Sequence, residues 1–340
     1  MIGGNGAGKS NFVDILRMLR AMVDENFTNF ITKCGGADDF LFNGPKQTKI
    51  IEGEFKFGNN SYSFELEPTA SENFLIKMEC ERYLEHSWTV IGSGKLESNI
   101  TANKDEKSVV YRGSHGVGYY IHRAISNWVV YHFHDTSATA PMRRSEITAD
   151  NIRLRPDASN IAPFLLELRD NEPKHYDEVV EAIKLVTPFF DDFRLKPIKK
   201  GEKELVNLSW KQKGSDYPMQ PYHFSDGTIR FICLATALLQ PDPPSMIIID
   251  EPELGLHPYA IEILAELIQA ASEKTQVIVS TQSPPLIDNF SIEDIIVVNR
   301  EKGASTFKRL DAKELSHWLE DYSLGDLWRK NIVAGGPTHE

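Results

Sequence analysis

A glycine-rich segment near the start of the chain constrains the fold more than any other feature. Gly3-Gly4-Asn5-Gly6-Ala7-Gly8-Lys9-Ser10 matches the pattern G-x-x-x-x-G-K-[ST], and an amphipathic helix is predicted from Asn11 to about Glu25. Glycines let the backbone curl so that successive N–H groups point inward, and the helix N-terminus adds its positive dipole end. The segment therefore predicts a phosphate-binding loop. Lys9 would reach the β- and γ-phosphates and the Ser10 hydroxyl would bind Mg²⁺. The residues expected to contact the nucleotide here are Asn5, Gly6, Ala7, Gly8, Lys9, Ser10 and Asn11.

The segment ahead of this loop departs from the usual pattern. A loop of this kind normally follows a β-strand, but only Met1 and Ile2 precede Gly3. We therefore expect either that the chain begins at an internal start site or that another segment replaces the strand. Without such a strand, nucleotide binding is expected to be impaired.

An apolar strand with carboxylates at its end supplies a second set of candidate residues. Ser245–Ile249 is apolar after its first residue and runs into Asp250 and Glu251, a pattern typical of a central parallel strand. Asp250 is predicted to hold Mg²⁺ through water, and Glu251 to orient and deprotonate the attacking water. A second apolar strand, Gln276–Ser280, precedes Gln282, which we expect beside the γ-phosphate as a sensor.

A helix start between the loop and this strand is the third candidate element. Ser225-Asp226-Gly227-Thr228 opens an apolar-periodic helix, in which Ser225 is a favourable N-cap and Gly227 permits close backbone approach. The segment alone is also compatible with a capped core helix.

Composition limits the class of protein. The chain has 340 residues, a net charge of −12 and three widely spaced cysteines without a C-x-x-C pair. This pattern indicates a reducing, cytoplasmic location without a disulfide framework or zinc site, and no apolar run is long enough to span a membrane. The basic spots Arg143-Arg144 and Lys196–Lys200 would meet DNA phosphates or be solvated. His132 and His134 are expected on an ordinary strand rather than at a metal.

The predicted organisation divides the chain into four segments. They are 1–48 (loop and first helix of the core), 49–134 (inserted antiparallel β region), 135–220 (helical linking subdomain with a hairpin) and 221–340 (second half of the core and tail). Alternating residues predict strands at Lys49–Phe57, Ser61–Glu67, Asn73–Tyr83, Thr89–Ile91, Ser108–Tyr111 and Val129–Phe133. The polar run Glu97–Lys107 is expected to be an exposed loop, and a hairpin is expected to turn at Lys200-Gly201-Glu202.

The order of these motifs resembles that of the SMC/RecF/OLD-type ABC ATPases. The stretch from Asp250 to Pro258, ending Leu256-His257-Pro258, is similar to their stand-alone bacterial members. Gly35–Asp38 and Trp318–Trp328 resemble the AAA15/AAA21 group of predicted ATPases more closely still. The resemblance implies an α/β P-loop NTPase of the ABC head type, with a mixed central sheet, an inserted antiparallel sheet and a helical subdomain.

The same resemblance implies cofactors, partners and site residues. Two heads would form a homodimer around two ATP molecules with Mg²⁺, each site completed by Ser225, Asp226, Gly227 and Thr228 of the other chain. His257 stands where the family has a residue that crosses the dimer interface. Gln282 departs from the His common in relatives, and Gln47 is only a weak match for the family's Q-loop glutamine. The implied role is DNA-linked surveillance or antiviral defence with a nuclease or other effector in trans.

Three other functions remain open at this stage. One is an ATP-responsive scaffold that dimerises and recruits a partner with negligible turnover, which the missing strand and Gln282 favour. Another is a RecF-like DNA repair ATPase. The third is a P-loop kinase, although kinases lack the Ser225–Thr228 helix start and the paired carboxylates Asp250 and Glu251.

Overall fold

The computed structural model describes residues 1–102, 104 and 115–333. The chain forms two compact units, Met1–Val13 with Val129–Glu340, and Asp14–Trp128. Helix α1 (Lys9–Val23) begins in the first unit and continues in the second. Among the described residues, no helix is both long and apolar enough to cross a membrane.

The secondary structure alternates between helices and strands along most of the chain. The helices after α1 are α2 (Phe27–Lys33), α3 (Val117–Ser126), α4 (Ile161–Asn171), α5 (Pro173–Val186), α6 (Asp226–Leu239), α7 (Pro258–Ser272), α8 (Pro284–Ile287), α9 (Ala312–Leu319) and α10 (Leu324–Arg329). The strands are β1 (Ile51–Phe57), β2 (Asn60–Pro68), β3 (Phe74–Tyr83), β4 (Thr89–Gly92), β5 (Trp128–Tyr131), β6 (Glu146–Ile147), β7 (Phe190–Phe193), β8 (Ile198–Lys200), β9 (Lys203–Val206), β10 (Trp210–Gln212), β11 (Met246–Asp250), β12 (Gln276–Ser280), β13 (Ile296–Glu301) and β14 (Ala304–Arg309).

The Asp14–Trp128 unit contains a four-stranded antiparallel sheet in the order β1-β2-β3-β4. Its first hairpin pairs Phe57 with Asn60, which leaves a tight turn between two strands that the alternation predicted. The alternation of the sequence identified these strands because less exposed and more exposed residues alternate along β1 and much of β2. Helix α3 lies in the stretch that the alternation assigned to sheet, so that part of the prediction is wrong.

The predicted exposed loop from Glu97 to Lys107 is also wrong in its first part. The Glu97 carboxylate accepts the N–H groups of Phe27 and Thr28 at 3.0 and 2.9 Å, which caps the start of α2. Ile100 is fully buried just after it. Capping by a distant carboxylate leaves no local signal, and the run therefore looks solvated. Residues 103 and 105–107, and the predicted strand Ser108–Tyr111, lie outside the described residues.

The other unit contains a central sheet in the order β12-β11-β5. Strands β11 and β12 are parallel, with Ile248 opposite Ile278, as the apolar runs predicted. Strand β5 was expected in the antiparallel sheet but lies next to β11 instead. A four-residue apolar strand shows no period that could distinguish the two sheets.

Met1 and Ile2 occupy the place of the strand that the phosphate-binding loop needs. Ile2 forms parallel bridges to both Thr281 and Val297, beside the ends of β12 and β13. The Thr281 N–H donates to the Met1 carbonyl at 3.0 Å, and the Val298 N–H donates to the Ile2 carbonyl at 2.7 Å. These bonds fix the backbone where it enters the loop. Met1 and Ile2 therefore make the backbone pairings that a strand ahead of such a loop makes.

Helix α6 is the most deeply buried helix of this unit and packs against α5 and α7. Its apolar side chains belong to a large core cluster that also takes in Ile247 and Ile249 of β11. The hairpin of β8 and β9 turns between Lys200 and Lys203, as predicted. The core thus fixes the start of α6 and the end of β11 in the same unit.

Candidate active site

The phosphate-binding loop is built around Gly8. Gly8 has a φ of +105°, in the region that favours glycine, and an added Cβ would lie 1.9 Å from the Ser305 hydroxyl. Helix α1 begins at Lys9, and the Phe12 N–H donates to the Gly8 carbonyl at 3.1 Å. The N–H groups before Phe12 in the first turn of α1 have no carbonyl partner within the helix. Such an arrangement binds anions.

The Lys9 side chain is buried against the loop, with 6% of its surface exposed. Its Nζ donates to the carbonyl oxygens of Gly3 and Gly4 at 2.6 and 3.1 Å. Burial lowers the pKa of Lys9, and the carboxylates of Glu251 and then Asp250 oppose that shift. The fold therefore brings the loop lysine within electrostatic reach of the acidic end of β11, although the two are more than 240 positions apart in the sequence.

The end of β11 is held in an unusual backbone conformation. Glu251 has a φ of +44°, in the left-handed region, which costs a non-glycine residue roughly 1–3 kcal/mol. Its N–H donates to the Ser280 carbonyl of β12 at 2.7 Å. The carbonyl oxygen of Asp250 lies 2.8 Å from Nε2 of His134. Contacts on both sides therefore hold these two carboxylate residues at the strand end.

Gln282 contacts the predicted catalytic carboxylate directly. Its Nε2 donates to Oε1 of Glu251 at 2.8 Å. Oε1 of Glu253 accepts the Thr281 hydroxyl at 2.5 Å and the Gln282 N–H at 3.3 Å. Burial raises the pKa of Glu253. Sequence reasoning selected Glu251 and Gln282 but not Glu253, whose only signal was its place as the second glutamate of a Glu-Pro-Glu run.

Most of the other residues expected to contact the nucleotide lie at the surface. Asn5, Gly6, Ser10 and Asn11 are exposed, and Ala7 is buried. In the part of the chain that the structure describes, no group of three or more His, Cys, Asp or Glu could hold a metal. Mg²⁺ at a nucleotide needs only one or two protein oxygens, because phosphate oxygens and waters complete its octahedron. A hydroxyl at Ser10 and a carboxylate at Asp250 fit that requirement.

The start of α6 is exposed and has a different set of contacts. Ser225 caps the helix, accepting the Thr228 N–H at 3.1 Å as predicted from the sequence. Asp226, with 70% of its side chain exposed, pairs with Arg143 at 3.0 Å. The hydrogen bonds found for Ser225–Thr228 among the described residues are local or go to Arg143.

Arg143 does not have either of the roles expected for it. Its side chain is only 6% exposed, so it is neither a solvated charge nor free to meet DNA phosphates. It donates to the carbonyl oxygens of Pro221 at 2.6 Å and Phe224 at 3.1 Å. Arg143 therefore fixes the segment that leads into Ser225. The sequence shows only a charge, because the acceptors are backbone groups about 80 residues away.

Two further contacts join α6 to the loop after β11. A Cβ added to Gly227 would lie 2.3 Å from the Gly255 carbonyl oxygen, so only glycine allows this approach. Arg230 is buried, with 7% exposed. Its guanidinium donates to the main-chain carbonyl oxygens of Phe133, His134 and Leu254. Sequence reasoning missed Arg230 for the same reason as Arg143.

His257 is exposed at the end of that loop. Its Nδ1 accepts the Tyr259 N–H at 3.3 Å, so it caps α7. Its predicted place at a dimer interface stays a prediction. Gln47 is exposed in a turn closed by a bond from its N–H to the Gly44 carbonyl, and its predicted role likewise stays a prediction.

Solved structures share this fold at low sequence identity. A crystal structure of an SMC head bound to the C-terminal winged-helix domain of ScpA matches 93% of this chain and 90% of its own, with a TM-score of 0.52 and 16% identity. An SMC head domain from Pyrococcus furiosus, bound to the C-terminal domain of ScpA, matches 94% of this chain and 91% of its own, with a TM-score of 0.50 and 15% identity. No curated protein sequence matches the chain.

One family model matches most of the chain. AAA_21, described as "AAA domain, putative AbiEii toxin, Type IV TA system", matches residues 1–288. That range contains the phosphate-binding loop, the start of α6 and the carboxylates at the end of β11. The fold and the family agree with the resemblance found in the sequence. The chain therefore belongs to the AAA_21 family of AAA domains and has the α/β fold of SMC-head P-loop ATPases.

Proposed function

We propose that the protein binds ATP with Mg²⁺ and hydrolyses it between two copies of the chain. The observation that carries the proposal is the buried Lys9 ammonium, held by the Gly3 and Gly4 carbonyls within electrostatic reach of the carboxylates of Asp250 and Glu251 at the end of β11. A buried cation among carboxylates beside a helix N-terminus is a site prepared for a phosphate with its metal ion. The fit of Ser10 and Asp250 to Mg²⁺ supports the same reading.

The chain's own residues supply binding, charge and proton transfer. The N–H groups of the loop and the first turn of α1 bind phosphate oxygens, and Lys9 offsets the charge that grows during transfer. Ser10 and Asp250 would hold Mg²⁺, which would supply positive charge to neutralise the phosphates. Glu251 accepts the proton of the attacking water, and Gln282 holds the Glu251 carboxylate in place. Positioning and electrostatic stabilisation account for most catalysis in phosphoryl transfer.

The second copy supplies the start of its α6. Ser225 and Thr228 are exposed hydroxyl residues at a helix N-terminus, and their hydrogen bonds are local. In the proposed dimer these groups, with Asp226, Gly227 and His257, complete the site of the partner across an isologous two-fold interface. ATP then lies between the loop of one copy and the α6 start of the other.

Glu251→Gln tests the proposal most directly. Replacing the carboxylate by an amide removes the proton acceptor and leaves the size unchanged, so phosphate release should fall about 100-fold or more. ATP should still bind, and the ATP-bound dimer should persist in size-exclusion chromatography. Glu262→Gln, the same change at an exposed residue of α7, is the control and should leave turnover unchanged. Failure of the native protein to bind ATP would contradict the proposal.

A scaffold with negligible turnover is the second candidate function. The bond from Gln282 to Oε1 of Glu251 favours it, because an engaged carboxylate is less available to a water. A scaffold would show ATP-dependent dimerisation with no phosphate release, and Glu251→Gln would leave its behaviour unchanged. An enzyme would lose its turnover in the variant.

We also propose a biological setting in antiviral defence, with an effector such as a nuclease in trans. The family description, which names a toxin of a type IV toxin–antitoxin system, supports this setting. The SMC heads bound to ScpA support a partner protein. DNA remains a further candidate ligand on the resemblance stated from the sequence. Phage plaque counts on cells carrying the gene with its native neighbours, compared with cells carrying Glu251→Gln, test the setting. Equal plaque counts would contradict it.

A further inference from the structure

The hairpin of β13 and β14 contacts the phosphate-binding loop from outside the predicted site. Ser305 of β14 donates its hydroxyl hydrogen to the Ala7 carbonyl at 2.7 Å. Two residues further on, the Phe307 ring lies 5.5 Å from the ring of Phe12 in the first turns of α1. The hairpin is therefore fastened both to the loop and to the helix that follows it.

The geometry of the peptide between Ala7 and Gly8 gives this contact a consequence. In a trans peptide the C=O and the N–H point in opposite directions. A hydroxyl that holds the Ala7 carbonyl toward the hairpin therefore holds the Gly8 N–H away from it. That N–H belongs to the run of donors expected to cradle phosphate.

Gly8 is also the residue that permits the contact. A Cβ at this position would lie 1.9 Å from Oγ of Ser305, so any larger residue would displace the hydroxyl. The backbone of Gly8, with its φ of +105°, adopts a conformation that L side chains rarely allow. The loop glycine and the hairpin serine thus fit together as a pair.

We propose that Ser305 is a positioning residue for nucleotide binding, which orients the Gly8 N–H toward the phosphates by holding the Ala7 carbonyl. The inference rests on the proposed ATP binding at this loop. A purely structural role would be different, because the bond would then only anchor the hairpin. Its loss would lower stability without changing the affinity for phosphate.

Ser305→Ala in the full chain tests the inference, with isothermal titration of a non-hydrolysable Mg²⁺–ATP analogue as the measurement. Loss of the hydroxyl leaves the peptide free to rotate, so Kd should rise about 5- to 10-fold. In steady-state assays KM should rise by a similar factor while kcat changes little, since the hydroxyl touches no reacting atom. The melting temperature without nucleotide should stay close to that of the native chain.

Two companion variants make the result specific. Ser305→Thr keeps the hydroxyl and suits a β-strand, so it should restore much of the affinity. Thr306→Ala removes the neighbouring hydroxyl, whose side chain points to the other face of the strand, and should bind like the native chain. Native-like affinity in Ser305→Ala would overturn the inference about Ser305 but not the proposed ATP binding. A loss of affinity in Ser305→Thr as large as that in Ser305→Ala would do the same. No binding by the native chain would overturn the proposed ATP binding and the inference with it.

Discussion

The two halves of the candidate site differ in how they are held. At the loop half, Lys9, Glu251 and Gln282 are partly or wholly buried, and their hydrogen bonds involve three separate segments of the chain. At the α6 half, Ser225 and Asp226 are exposed, and their bonds are local or go to Arg143. A half with internal partners can assemble in one chain. A half with outward polar groups is open to a ligand or a second molecule, and this openness is the physical argument for proposing a composite site.

The largest effect is expected from mixing two inactive variants, one altered in each half of the site. Lys9→Met removes the buried cation and should reduce ATP turnover about 100-fold or more. Ser225→Arg should be similarly inactive, because a bulky charge occupies the α6 half. If the sites are composite, a mixed dimer has one site with both lesions and one intact site.

Equimolar mixing of these two variants should restore on the order of a quarter of native turnover, since half the dimers are mixed and each has one intact site. Phosphate release after mixing, compared with each variant alone, is the measurement. Lys33→Met, at an exposed end of α2, controls for the loss of a lysine. No recovery on mixing would contradict a site shared between two chains.

Arg230→Met should have the next largest effect, because it cuts the link between the two halves. The change leaves three main-chain carbonyl oxygens without their buried guanidinium donor. The free energy of unfolding should fall by about 2–4 kcal/mol. Urea denaturation checks this, with Arg329→Met as an exposed control. A loss no greater than in the control would show that the link carries little stability.

Glu253→Gln should have the smallest effect and should depend on pH. Burial raises the pKa of Glu253 above the ordinary 4.5, so the folded chain binds a proton there more readily than the unfolded chain. The stability contributed by this carboxyl is therefore present at low pH and is lost as pH rises through its folded-state pKa. The amide should raise the melting temperature slightly at pH 8, and the gain should vanish toward pH 4.5. A gain in melting temperature that grows as the pH falls would contradict this predicted direction.

Patterns that are local in the sequence were predicted well. The loop at Gly8, the end of β11 at Asp250 and the capped helix at Ser225 each depend on neighbouring residues, and the structure shows them where the patterns placed them. The fold class and the family are confirmed by the comparisons. Nucleotide contacts for the individual site residues stay predictions.

Contacts between distant segments could not be predicted. Arg143 and Arg230 donate to backbone carbonyl oxygens, which every residue carries, so their sequence gives no sign of a partner. Ser305 lies on an ordinary strand and is distinguished only by its distance from Ala7. The short apolar β5 shows no period that assigns it to a sheet. In each case the missing information is three-dimensional.

The close approach of Gly227 to the Gly255 carbonyl leaves no side chain between two main-chain segments. Compressible side chains normally absorb small displacements between packed elements, but backbone in van der Waals contact is nearly incompressible. We therefore expect a displacement of the start of α6 by a few tenths of an ångström to shift the turn four residues beyond Glu251. A contact that displaces the start of α6 would in this way shift the backbone near Glu251, the carboxylate that we expect to accept a proton.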